Sequence, residues 1–182
     1  MPVSDENIKQ NLFFYFVLKL KERYYAINKT ETKLNRFHVL KMLFIACVYD
    51  NDLINWLWGG NFDNFYAMEK WPVEMDCYKI IKGLKERGNS FENTINNKEL
   101  LEGAIDFYKI DKKTKEKIDA WLKKIPHFLF SKDSSYLVDF THNFNSWKKA
   151  WVKTKIYNIN IYPSVINAYP ICNNDIIEDG KY

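Results

Sequence analysis

Side chains able to do chemistry are scarce in this chain, and their spacing argues against catalysis. There are three histidines, His38, His127 and His142. No two of them stand three or four residues apart, the spacing of a helical metal site, so metal binding is not expected. Asp139 and His142 are three apart and fall on one helix face, with Thr141 between them. That trio lacks the Gly-x-Ser-x-Gly elbow that presents a nucleophile. It reads as a carboxylate orienting a structural imidazole. His38 reads as a helix residue whose ring nitrogen bonds a neighbouring loop. Gly59-Gly60 is isolated and followed by no Lys-Ser or Lys-Thr pair, so no phosphate loop is present. Glu178 and Asp179 lie in a polar tail, where water is the expected partner. The residues point to a protein that is not an enzyme and uses no metal or organic cofactor.

Cys47, Cys77 and Cys172 are odd in number and form no Cys-x-x-Cys pair. Cys47 lies in an apolar run and is expected as a buried thiol in a reduced, cytoplasmic setting. Tryptophans fill cores or anchor interfaces. Trp121 has core spacing. Trp56, Trp58 and Trp71 lie near the Gly-Gly turn and, with Tyr66 and Pro72, are the candidates for binding a partner.

The elements that must position these groups follow from composition. The chain has 182 residues, 47% hydrophobic and 17% aromatic, enough to fill a core without disulfide or metal staples. Only 6 Gly and 5 Pro interrupt it, so helices should dominate. The expected fold is mainly α: a compact multi-helix domain around a central helix, with a short extended or β-hairpin segment near residues 60–70. The surplus of +4, from 27 basic and 23 acidic residues, is mixed along the chain as on a solvated surface. Nucleic acid is therefore not the expected partner, unless the fold gathers a local patch. Asp5 and Glu6 stand where a signal peptide is basic, and the apolar run 12–18 is too short to cross a bilayer. No export and no membrane anchor are expected.

Along the chain, Ser4 can cap a first helix with Ile8, Leu12, Tyr15, Phe16 and Leu20 at helical spacing, ending near Ile27-Asn28. Thr32 is the expected cap of a second, central helix with Leu34, Phe37, the stem of Lys41, Phe44 and Val48 on its buried face. Phe62, Phe65 and Tyr66 suit a short strand. Trp71 reads as a turn residue, and Pro72 as the neighbour of a helix start. That helix faces Ile80, Ile81 and Leu84 inward and stops at Gly88. Residues 89–97 read as a polar loop and 99–107 as a weak helix. Asp111 caps a helix with Ile118, Trp121, Leu122 and Ile125, ended by Pro126. Ser134 or Ser135 caps the next, and later helical segments hold Trp147, Trp151 and the residues after Pro163. Three stretches result: an N-terminal helix over 1–30, a helical domain over 31–172 and a polar tail over 173–182.

Across 32–170 the chain resembles the Panacea domain, the SocA-like antitoxin family. The resemblance rests on His38, Leu40, Lys41, Leu43, Phe44 and Ala46, then Ala67, Met68, Pro72 and Val73, then Thr141, His142 and Trp147. Trp71 replaces the family's glycine before Pro-Val, and Cys47 stands where an acidic residue is common. The resemblance implies an antitoxin that neutralises a cognate protein toxin by direct contact, and in the SocA-like branch delivers it to a Clp-type protease as an adaptor. A phage-related or transcription-regulatory interaction protein without a toxin partner, one able to bind nucleic acid, stays open as the alternative. Oligomeric state is not legible.

Overall fold

The computed structural model describes residues 5–49, 65–68 and 71–142, with the side chains of 8–46 and 76–141. These residues are mainly helical. In order they form α1 Asp5–Asn28, α2 Arg36–Tyr49, β1 Phe65–Met68, β2 Trp71–Glu74, α3 Met75–Glu86, α4 Phe91–Asn96, α5 Lys98–Gly103, α6 Lys112–Lys124 and α7 Ser134–His142. Short 3-10 turns at Phe107–Lys109 and His127–Ser131 flank α6.

Two helices share the centre. In α2 every residue from Val39 to Ala46 is buried, as a helix apolar on all sides demands. In α1 the run Leu12 to Val17 is buried just as completely, while Ile8, expected on its inner face, is 44% exposed. The reason is the number of neighbours: α3, α4, α5, α6 and the His127–Ser131 turn all pack on α1, and α6, α7 and β2 pack on α2. The N-terminal helix is thus part of one continuous core that runs from Leu12 to Phe140. Phe13 stacks on Phe91 with ring centroids 6.0 Å apart, and Tyr24 meets Phe130 edge-on at 5.0 Å.

Capping decides the helix boundaries. Asn35, not Thr32, opens α2: its Oδ1 accepts from the His38 N–H at 3.0 Å. Asp133, not Ser134 or Ser135, opens α7, accepting from the Tyr136 N–H at 2.8 Å. Both shifts have one cause, an amide or carboxylate oxygen that reaches the third N–H of its helix. The expected loop at 89–97 is instead a helix. Ser90 accepts from Asn93 N–H and Phe91 and Ile95, one turn apart, are buried. Asn97 then caps α5, which stops at Gly103, short of the expected 107. The polar residues that read as loop are caps and an outer face. Gly88 ends α3 as expected, at φ 77°. The Gly88 N–H bonds to Lys85 O and the Asn89 N–H to Leu84 O, closing the last turn.

The strands pair antiparallel, with Tyr66 opposite Val73, Ala67 opposite Pro72 and Met68 opposite Trp71. Trp71 and Pro72 therefore lie in a strand, not in a turn leading straight into a helix; α3 begins only at Met75. A proline fits because the outward side of a strand has no ladder bond to lose.

Two asparagines join distant segments. Asn96 accepts from the Leu34 N–H at 2.9 Å and donates to Leu34 O at 2.7 Å, holding the residues before α2 against α4. Asn11 does the same for Asp106, donating to its carbonyl at 2.9 Å and accepting from its N–H at 2.7 Å. Each satisfies both backbone groups of its partner, which for the buried Leu34 replaces bonds that burial would otherwise deny it.

Candidate interaction site

Three elements meet in pairs: α2 with α7, α2 with β2, and α7 with β2. On them lie most of the residues singled out from the sequence. His38, Lys41 and Phe44 come from α2, Trp71, Pro72 and Val73 from β2, and Thr141 and His142 from the end of α7. Tyr66, Ala67 and Met68 belong to β1, beside β2. Trp56, Trp58 and Trp147 lie outside the described residues, as do the side chains of Cys47, Val48, His142 and both strands.

His38 is held from two sides. Its Nδ1 lies 3.1 Å from Asn35 Oδ1, so the capping amide also orients the ring. The ring meets Tyr24 edge-on at 6.4 Å. Desolvation lowers its pKa, against a smaller opposing pull from Asp133. The bond to the segment before the helix is the structural role expected of it. Phe44 and Thr141 are fully buried, and the Thr141 hydroxyl donates to Val138 O at 3.0 Å. Asp139 is exposed on α7.

Lys41 departs from expectation. The whole side chain is buried, not the stem alone. Desolvation pushes its pKa from 10.5 down to about 6, so the amine is neutral at physiological pH. Helical spacing alone cannot give this: a lysine among apolar residues is normally read as reaching for water.

Elsewhere, His127 lies in the 3-10 turn after α6 and accepts from Arg23 Nη2 at 2.6 Å. Cys77 is fully buried. Among the described residues no cluster of His, Cys, Asp and Glu has the size to hold a metal ion, and no helix is long and apolar enough to cross a membrane.

No family model, curated protein or solved structure matches the chain. The site is therefore read from its own geometry. The strand pair is seated on the helices through β2, which packs on α2, α3 and α7. Among the described elements β1 packs chiefly on β2. Among the described residues no further strand pairs with the far side of β1.

Proposed function

We propose that this chain is an antitoxin-like protein that neutralises a cognate protein toxin by direct contact. In this reading it is not an enzyme, needs no cofactor and works in the cytoplasm. Delivery of the toxin to a Clp-type protease is the further step that the resemblance implies.

The observation that carries the reading is the anchoring of the strand pair. A rigidly seated strand is a template for an extended segment of a partner, with backbone bonds giving affinity and side-chain pockets giving selectivity. Tyr66, Trp71 and Pro72 belong to that pair, and aromatic anchors dominate the energetics of protein interfaces. Also in support, the residues of the Panacea resemblance that the structure describes fall on α2, the strands and α7, which touch one another.

The test is the product of the neighbouring reading frame, co-expressed with this chain and co-purified. Tyr66→Ala and Trp71→Ala should each weaken the complex by about 2 kcal/mol or more, roughly thirtyfold in affinity. Alanine is chosen over glycine to spare the strand the backbone penalty. Tyr25→Ala, at a residue 60% exposed near the far end of α1, should leave the affinity unchanged. Equal losses from all three substitutions would remove the strands from the interface.

A further inference from the structure

Arg23 of α1 is a half-buried cation with no counter-charge. Among the described residues every ion pair is made by a lysine, and no carboxylate lies within bridging distance of Arg23. Its polar partner is an imidazole: Nη2 donates to His127 Nε2 at 2.6 Å. An arginine can only donate, so that ring nitrogen carries no proton. The guanidinium also lies over Phe130, 6.0 Å from the ring centroid. Its Nε is buried and has no partner. Desolvating a cation with no carboxylate to answer it costs stability, and such breaches gather at functional sites.

The arginine is fixed in place. Asn28 Nδ2 donates to Phe130 O at 2.9 Å, and Tyr24 meets the Phe130 ring edge-on at 5.0 Å. Two further residues of α1 thus hold the turn that carries His127. A guanidinium offers a carboxylate two edges, one of Nε with Nη2 and one of Nη1 with Nη2. Burial of Nε and the bond to His127 close the first. The second stays open, because Nη1 bonds nothing among the described residues and reaches water. A rigid, partly desolvated arginine is the kind that dominates the energetics of an interface.

An apolar contact stands beside it. Phe128, next to His127 in the turn, is 37% exposed. Its ring meets Phe140 edge-on at 6.3 Å, and the Ser131 hydroxyl donates to Phe128 O at 2.7 Å, so this side chain too is held. Just past the turn, Lys132 lies 4.7 Å from the centroid of the half-buried Tyr136 ring. It is a second cation with no carboxylate within bridging distance among the described residues.

We infer that Arg23 and Phe128 dock an acidic, apolar segment of a protein partner, its carboxylate on the open edge of Arg23 and its apolar side chain on Phe128. The charge is complementary, and a carboxylate supplies the paired acceptors that the open edge lacks. Nucleic acid fits less well. A phosphate backbone is bound by neutralising several phosphates in a row, whereas Asp133 stands exposed two residues beyond the turn. This surface is made by α1 and the turn after α6, not by the strand pair, and its test does not depend on a toxin.

The chain has three arginines, Arg23, Arg36 and Arg87, so the Nε–H region of a heteronuclear magnetic resonance spectrum can be assigned from single lysine variants. The probe is a capped peptide of alternating glutamate and leucine, titrated into the isotope-labelled, full-length chain. The Arg23 signal should move saturably while those of Arg36 and Arg87 stay. Fluorescence anisotropy of the labelled peptide then reads the variants. Arg23→Lys keeps the charge and loses the fork, and Phe128→Ala removes the apolar contact. Each should weaken binding about tenfold. Arg87→Lys makes the same exchange at an exposed residue elsewhere and should change nothing. Circular dichroism melts establish that each variant folds. The inference is overturned by no binding, by equal movement of all three arginine signals, or by Arg23→Lys or Phe128→Ala binding as tightly as the parent. Equal binding of the peptide with glutamine in place of glutamate, or of a short oligothymidylate, overturns it as well.

Discussion

Keeping Lys41 neutral in the core ties the stability of the fold to pH. The folded amine takes up its proton only below about 6, whereas the unfolded one holds it up to 10.5. Between those values unfolding binds a proton, so stability should rise with pH across the window. The lowered pKa of His38 acts in the same sense as pH falls through its ordinary value of 6.5. Lys41→Met should flatten the rise, because a side chain of similar volume no longer titrates. Urea unfolding of both proteins over this range measures it, and parallel profiles would contradict the burial of the amine. The lysine was visible in the sequence as a member of an apolar helix. Its full burial was not, because that depends on α6, α7 and β2 closing over α2. The asparagines teach the same lesson. Nothing near Asn96 in the chain announces Leu34, 62 residues away, as the backbone it clamps.

Among the elements, α3 and α6 were legible because each carries one apolar stripe and a terminal signal. For α6 the signals were Asp111 and Pro126, and for α3 Gly88. Gly88→Ala tests the latter. Its φ of 77° strains any residue with a Cβ, while nothing among the described residues lies within 4 Å of the added atom. The cost is then backbone alone, about 1 kcal/mol, read from the shift in urea midpoint at constant slope. A loss of several kcal/mol would mean that the turn is packed rather than merely shaped. The short helix Phe91–Asn96 was hidden because Ser90 reads as a loop residue until its oxygen is seen on Asn93, whereas the weak helix expected over 99–107 is present as Lys98–Gly103, capped by Asn97. The starts of α2 and α7 moved for a related reason. Several capping residues stood within reach, and the tertiary packing chose among them.

At the scale of the molecule, composition alone predicted a mainly helical domain with a large core, and the structure has it. The central place of α1 was less legible. A helix apolar on every side gives no direction to its neighbours, so Leu12 to Val17 could not say how many elements would cover them. The strand pair was foreseen in outline, though not with Trp71 and Pro72 inside it. Among the described elements the pair is seated through β2 on α2, α3 and α7, with β1 packed chiefly on β2. The most direct measurement is growth of cells that express the neighbouring reading frame alone, with this chain, or with its Trp71→Ala variant. The account predicts arrest in the first case, growth in the second and renewed arrest in the third, with equal levels of folded protein. Growth in all three, or arrest that this chain does not relieve, would contradict it.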